Sequence, residues 1–253
     1  MVKKSRKRNK TNKLKSITIV STLIVLLLAL GYHFYKKSVI ANTFKESNKY
    51  QVKGIDVSHH NPILDWAEVK RQNITFTYLK ATEGITHDDR NYIYNYKLAK
   101  ENNIKTGSYH FYNFGVSGRE QAKHFIRVAK CKSGDLIPAI DVEHSPANPY
   151  SKDPSFAKNV IKELSVMENE LYEYYGFHPV IYTNIDCYKL YINNSFPNNP
   201  IWISSLNKEP NDDITNWVIW QFTHKGELDG IVGDLDLNYF RYSFDDLRQL
   251  QLP

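Results

Sequence analysis

Apolar, β-branched runs alternate along this chain with stretches whose apolar positions recur at helical spacing. From residue 50 onward, strand-like runs cover 54–57, 75–80, 105–111, 136–142, 180–183, 201–204, 218–222 and 235–237. Helix-like runs cover 65–71, 91–101, 118–130 and 155–175. Asp65 is placed to cap the first helix, Ser155 (after Asp153-Pro154) to cap the long one, and Gly176 to end it. Strands that outnumber the helices, with helices only between the first five, predict an α/β fold. The expected architecture is a modified (β/α) TIM-like barrel with a short-looped second half. An open doubly wound sheet is compatible with the same strand count.

Ahead of this domain the pattern changes. Residues 1–15 carry eight basic side chains and no acid, and residues 16–35 form one apolar stretch. Such a stretch is long enough for a helix to cross the roughly 30 Å hydrocarbon core of a bilayer. The flanking charge predicts a single-pass transmembrane helix, a signal anchor in the cell membrane with the N-terminus inside and the following domain outside. Cleavage after Val39-Ile40-Ala41 would instead release a secreted protein. Residues 36–50 read as a polar stalk, and 51–253 as one large domain.

Charge then needs to be read in two parts. The 253 residues hold 33 Lys and Arg against 27 Asp and Glu, a net +6. Eleven of the basic residues precede Glu46, the first acid, so residues 46–253 hold 22 basic and 27 acidic side chains, a net −5. The basic balance belongs to the front of the chain, and nothing in the domain calls for a nucleic acid partner. The two cysteines, Cys131 and Cys187, form no CxxC or zinc-type spacing, and sequence leaves their pairing open.

The candidate chemistry lies in acids at strand ends. Asp141-Val142-Glu143 closes an apolar run, Asp56 sits in Gly54-Ile55-Asp56-Val57, and Asp236 in Asp234-Leu235-Asp236-Leu237. Residues i and i+2 of a strand share a face, so Asp141 and Glu143 feel each other, and their pKa values separate into a proton donor and an ionised partner. In a (β/α) barrel these four acids would gather at the catalytic end of the strands. Paired carboxylates with many aromatic rings suit glycoside hydrolysis. Tyr109, Tyr182, Trp202, Trp220 and Gln221, each near a strand end, are candidates to contact sugar. His59, His60, His110 and His144 raise metal hydrolysis as a competitor, but no HExxH occurs, and on a strand His59 and His60 would alternate faces. No GxSxG, P-loop or dinucleotide fingerprint is present, and no cofactor or metal is expected.

Several of these segments resemble one family in order. Gly54-Ile55-Asp56-Val57-Ser58-His59-His60, Asp65-Trp66, Leu79-Lys80-Ala81-Thr82-Glu83-Gly84, Gly107-Ser108-Tyr109-His110-Phe111, Asp141-Val142-Glu143, Ile181-Tyr182-Thr183 and Asp236-Leu237-Asn238 are similar to glycoside hydrolase family 25, the Chalaropsis-type lysozymes. The resemblance covers 52–253 and implies hydrolysis of the β-1,4 bond between N-acetylmuramic acid and N-acetylglucosamine in peptidoglycan. It implies Glu143 as general acid, Asp141 as the partner that orients the substrate's acetamido group, and Asp56 and Asp236 as two further pocket acids. Lys80, Tyr109 and Tyr182 match positions that contact sugar or tune those acids. Two departures stand out: Asn61-Pro62 where Gln-Gly is common, and Leu206 where a tyrosine is expected. The expected partners are peptidoglycan glycan strands and, through the N-terminal helix, the membrane; the protein is expected to be a monomer. A catalytically silent wall-binding module and a hydrolase of another amino-sugar polymer such as chitin are the alternatives.

Overall fold

The computed structural model describes residues 17–32, 43–44, 49–206, 208–211, 213–214 and 216–253. The chain divides into two units, Met1–Asn42 and Thr43–Pro253. In the first, a helix (α1) covers residues 17–32. Among the described residues no helix is long and apolar enough to cross a membrane. The basic tail, residue 16, residues 33–35 and most of the expected stalk lie outside the described residues.

The second unit is a barrel. Its strands are β1 (Val52–Val57), β2 (Ile74–Glu83), the short β3 (His87–Asp88), β4 (Lys105–Phe111), β5 (Ala139–Val142), β6 (Val180–Asn184), β7 (Ile201–Ser204), β8 (Trp217–Gly226) and β9 (Leu235–Phe240). Neighbours from β1 through β2, β4, β5, β6 and β7 to β8 are parallel. β9 closes the ring by pairing antiparallel with both β8 and β1, and β3 only extends the end of β2. The barrel is thus closed, not an open sheet, but its last strand runs against the rest.

The helices connect the early strands, as the periodicity predicts: α2 (Trp66–Arg71), α3 (Tyr92–Glu101), α4 (Gly118–Val128) and α5 (Pro154–Tyr175). Asp65 caps α2 by accepting from the amides of Ala67 and Glu68. On α5 the cap is Asp153, not Ser155: its carboxylate accepts from the Ser155 amide, and Pro154 takes the first helical position, where a missing N–H costs nothing. Gly176 ends α5 in the left-handed region at φ 77°. α4 stops two residues early because Ala129 turns extended. β6 is followed by a short helix, α6 (Ile185–Cys187), and a π-helical turn (Tyr188–Ile192); α7 (Phe244–Leu247) and a 3-10 turn (Arg248–Leu250) come after β9.

β5 is shorter than its apolar run. Pro138 has no N–H to give to a ladder, and the residues before it pair elsewhere. The Ile137 amide donates to the Leu250 carbonyl (2.7 Å) and the Leu252 amide to the Asp135 carbonyl (2.8 Å). The C-terminal segment thereby plugs the barrel floor, where Leu247, Leu250 and Leu252 join Val52, Phe76, Ala139, Val180 and Phe240. A second apolar layer, including Ile55, Leu79, Ile140, Val142, Ile181 and Ile203, packs outward against Trp66, Tyr92, Phe125, Leu164 and Met167 of the helices. Strands buried on both faces read as continuous apolar runs, which is why the sequence shows them plainly.

Among the described residues no helix covers the outer faces of β8 and β9. Phe44 and Tyr50 do so instead: Phe44 lies edge-on to Phe222 and Tyr239, and Tyr50 meets Trp217, Trp220 and Tyr239. Within the expected stalk, Phe44 and Tyr50 are therefore packed on the barrel. Cys131 and Cys187 are free, and Cys187 is buried.

Candidate active site

Strand register brings the acids to one rim. Asp56 stands one residue before the end of β1, and Asp141 likewise on β5, with Glu143 just past the strand. Asp236 is the second residue of β9. It reaches the same rim because β9 is antiparallel, so it lies at the start of its strand and not at the end that a regular (β/α) barrel would require. Asp236 pairs directly with Asp56, Asp141 with Tyr182, and Tyr182 with Trp202. Partners across a ladder share a face, so these side chains all point inward.

They line a cavity of about 380 Å3 together with Tyr109, Glu143 and Gln221. Asn184, Ser204, Leu206 and His224 complete the wall. Two sequence candidates are placed differently. Lys80 is buried beside the cavity, bound through Nζ to Glu83 Oε2 (2.7 Å) and 4.6 Å from the centre of the Phe111 ring. Trp220, next to the inward Gln221, points out of the barrel, and its indole N–H donates to the Ser205 carbonyl. The histidines are dispersed. His59 and His60 follow β1 in a turn with rings 4.0 Å apart instead of alternating along a strand. His59 is held by Asp89, His110 by Thr82 and Gln121, and His144 by Tyr191. Among the described residues no group of three or more His, Cys, Asp or Glu could hold a metal ion.

Asp56 is held by a relay of amides. Its Oδ2 accepts from Asn238 Nδ2 (2.7 Å) and Gln221 Nε2 (3.1 Å). The carbonyl of Gln221 accepts from the Tyr182 hydroxyl (2.9 Å), and that of Asn238 from the Trp202 indole N–H (2.7 Å). Each amide uses its donor side on Asp56 and its acceptor side on a ring, so its orientation is fixed. Asn238 was not among the site candidates, yet it lies two residues from Asp236 on the same face, a signal the sequence contains. Asp141 is treated in the opposite way: its Oδ1 is buried with no hydrogen-bond partner among the described residues.

Burial dominates the electrostatics. It pushes Asp56 and Asp141 well above the usual carboxylate range, aided by the charges of Asp236 and Glu143 respectively; Lys80 opposes the shift at Asp141. Glu143 is pushed up to about 7 by burial and then by Asp236, against the pull of Lys80. Asp236 is pushed up to about 6 by burial, against a hydrogen bond with Asp56. Four carboxyls in one partly dry space cannot all ionise cheaply, so protons are retained near neutral pH. Glu143, pushed up to about 7, is therefore suited to deliver one.

The profile of Glycosyl hydrolases family 25 matches residues 55–231. The chain belongs to this family. A solved family 25 glycosyl hydrolase from Bacillus anthracis is 33% identical, with a TM-score of 0.75 over 82% of this chain and 96% of that one. Lysozyme M1 of Streptomyces globisporus is 30% identical over 207 residues, 76% of this chain and 68% of that protein. The autolytic lysozyme of Clostridium acetobutylicum is 31% identical over 190 residues, 75% of this chain and 56% of that protein. This family 25 member is a glycoside hydrolase; the profile match spans Asp56, Asp141 and Glu143, and Asp236 lies just beyond it.

Proposed function

We propose that the protein is a muramidase that cleaves the β-1,4 bond between N-acetylmuramic acid and N-acetylglucosamine in peptidoglycan. One observation carries this reading. At the end of β5 a carboxyl titrating near neutrality, Glu143, stands two residues from Asp141, a buried carboxyl with an unpartnered oxygen. Glu143 donates its proton to the glycosidic oxygen as the bond to the anomeric carbon breaks. Asp141, whose ionised form the Lys80 cation favours, supports positive charge at that carbon and offers its open oxygen to the acetamido N–H of the sugar. Water adds there, and its proton restores Glu143. Asp56 and Asp236 set the field below the sugar, Tyr109, Tyr182 and Trp202 present ring surfaces and polar edges to it, and Lys80 tunes the acids from behind. The lysozyme names of the relatives support the choice of substrate.

The test is digestion of insoluble peptidoglycan by wild type and Glu143→Gln, with mass spectrometry of borohydride-reduced products. New reducing ends at muramic acid, from wild type only, are expected. Ends at glucosamine would overturn the bond assignment, equal cleavage of chitin would broaden the substrate, and a folded but inert wild type would favour a wall-binding module.

The same reading places the enzyme outside the cell membrane, tethered by the apolar stretch 16–35 with the basic tail inside. The support is the charge and hydropathy pattern of the sequence. Retention of the full chain in membranes after an alkaline carbonate wash is expected; release into the wash would sink the anchor.

A further inference from the structure

Leu206 enters the catalytic cavity from the loop that joins β7 to β8, and its side chain is 40% exposed there. The far part of this loop is anchored by Ile214, which is buried in the outer core. In the near part Pro210 is buried, and the Ser205 amide donates to the Gln221 carbonyl of β8 at 3.1 Å. Behind it lies a second cavity of about 310 Å3, whose walls include Tyr188, Lys189 and Asn193 on one side and Ser205, Lys208 and Glu209 on the other. Between Ser205 and Pro210, therefore, close packing alone does not fix where Leu206 stands.

Between those two points the stretch is held by polar bonds, and one of them comes from a residue ahead of the barrel. The Tyr50 hydroxyl donates to Glu209 Oε1 at 2.6 Å, three residues after Leu206. The Tyr50 ring packs edge-on against Trp220, whose indole N–H donates to the Ser205 carbonyl at 2.8 Å, one residue before Leu206. Ser205 Oγ in turn donates to the Lys208 carbonyl (2.7 Å) and closes the bend. Tyr50 thus brackets Leu206 from both sides. Its own place is secure, since its ring is 7% exposed among Trp217, Trp220 and Tyr239. Lys49 also reaches Glu209, but its side chain is 62% exposed and such a pair holds little. A hydroxyl donating to a carboxylate is the stronger tie.

We propose that Tyr50 and Glu209 are positioning residues for the hydrolysis: their bond sets the loop so that Leu206 forms the wall against which the sugar is held. The inference rests on the glycan-cleaving reading of the cavity. The tie is remote from Glu143, so its loss weakens substrate binding and leaves the chemical step in place, raising KM with little change in kcat.

The test measures KM and kcat on soluble, peptide-free glycan strands for the full chain and for Tyr50→Phe, Glu209→Ala, Glu209→Gln and Leu206→Ala. Tyr50→Phe keeps the ring and Glu209→Gln keeps an acceptor, so folding is preserved in both. Tyr50→Phe and Glu209→Ala are expected to raise KM on the order of tenfold, the range for one charge-assisted bond, with kcat within about twofold. Glu209→Gln is expected to restore most of the affinity. Glu209→Ala combined with Leu206→Ala is expected to add nothing beyond Leu206→Ala alone. Unchanged KM in both tie variants, or effects that multiply with Leu206→Ala, would overturn the proposal. Hydrogen exchange of the amides from 205 to 216, without substrate, provides a second arm. Faster exchange in Tyr50→Phe supports the tie and unchanged exchange refutes it, even if a wild type inert on glycan were to sink the functional reading itself.

Discussion

Asp56 and Asp236 stand directly opposite each other across the antiparallel β1–β9 ladder. Directly opposed residues have Cβ atoms about 4.5–5.5 Å apart, so the two carboxyls share one electrostatic environment. Only a reversed last strand produces this pairing at the rim that also holds Asp141 and Glu143. The consequence is a floor of charge beneath the cavity that raises the proton affinity of its neighbours.

That floor can be tested through Asp236→Asn. The Asp236 charge raises both Asp56 and Glu143. Its removal lowers Glu143 from about 7, so less of the acid is protonated at a given pH. The alkaline limb of kcat/KM against pH is expected to move to lower pH, with a greater loss of activity at pH 8 than at pH 5. A limb that stays in place or moves upward would show that Asp236 does not tune the proton donor.

Lys80 predicts the opposite sign. Its cation holds Glu143 and Asp141 below where burial alone would put them. Lys80→Met is expected to move the alkaline limb upward, while kcat falls because Asp141 ionises less readily. A pH profile for the two single variants and the double decides the matter: opposite shifts that largely cancel are expected, and shifts of the same sign would refute the assignment.

Stability carries a related signature at Glu143. Its ordinary value is 4.5 and its folded value about 7. Below the lower value the group is protonated whether the chain is folded or not. Between the two, the unfolded chain ionises while the folded one holds its proton, so stability is lost as pH rises until the folded group also ionises. Glu143→Gln does not titrate. The Tm of the variant relative to wild type is expected to rise from pH 4 to pH 8, by about 2–4 °C for each kcal/mol relieved. A difference that is flat across this range would mean that burial does not strain the carboxylate.

Much of this site is legible in the sequence, because acids that end apolar runs announce strand termini. Asp56, Asp141 and Glu143 follow that rule. Asp236 satisfies it only by accident of reading, since a six-residue strand carries no mark of its direction. Gln221 and Trp220 differ by one residue and face opposite ways, and either register is compatible with the local pattern. His224 enters the cavity from a stretch of β8 where the ladder register shifts, which breaks the alternation that would locate it. The packing of Phe44 and Tyr50 was hidden for another reason: an isolated aromatic in a polar segment gains a role only once β8 and β9 lack a covering helix.

Asn238 offers the sharpest separation of structure from chemistry. Its amide joins the Trp202 indole to Asp56 and helps hold Asp56 below where burial would otherwise place it. Asn238→Ala leaves a buried N–H and a buried carboxyl oxygen each short of a partner, at a cost of about 1–3 kcal/mol. Asn238→Asp instead keeps an acceptor for Trp202 but sets another carboxyl against Asp56. Both variants are expected to lower Tm at pH 7. At pH 4 to 5, where an added carboxyl beside other acids is held neutral and can donate to Asp56, Asn238→Asp is expected to recover stability while Asn238→Ala does not. Thermal melts of both variants across pH 4 to 8 check this. Parallel curves for the two would show that Asn238 acts through packing and not through the hydrogen-bond relay.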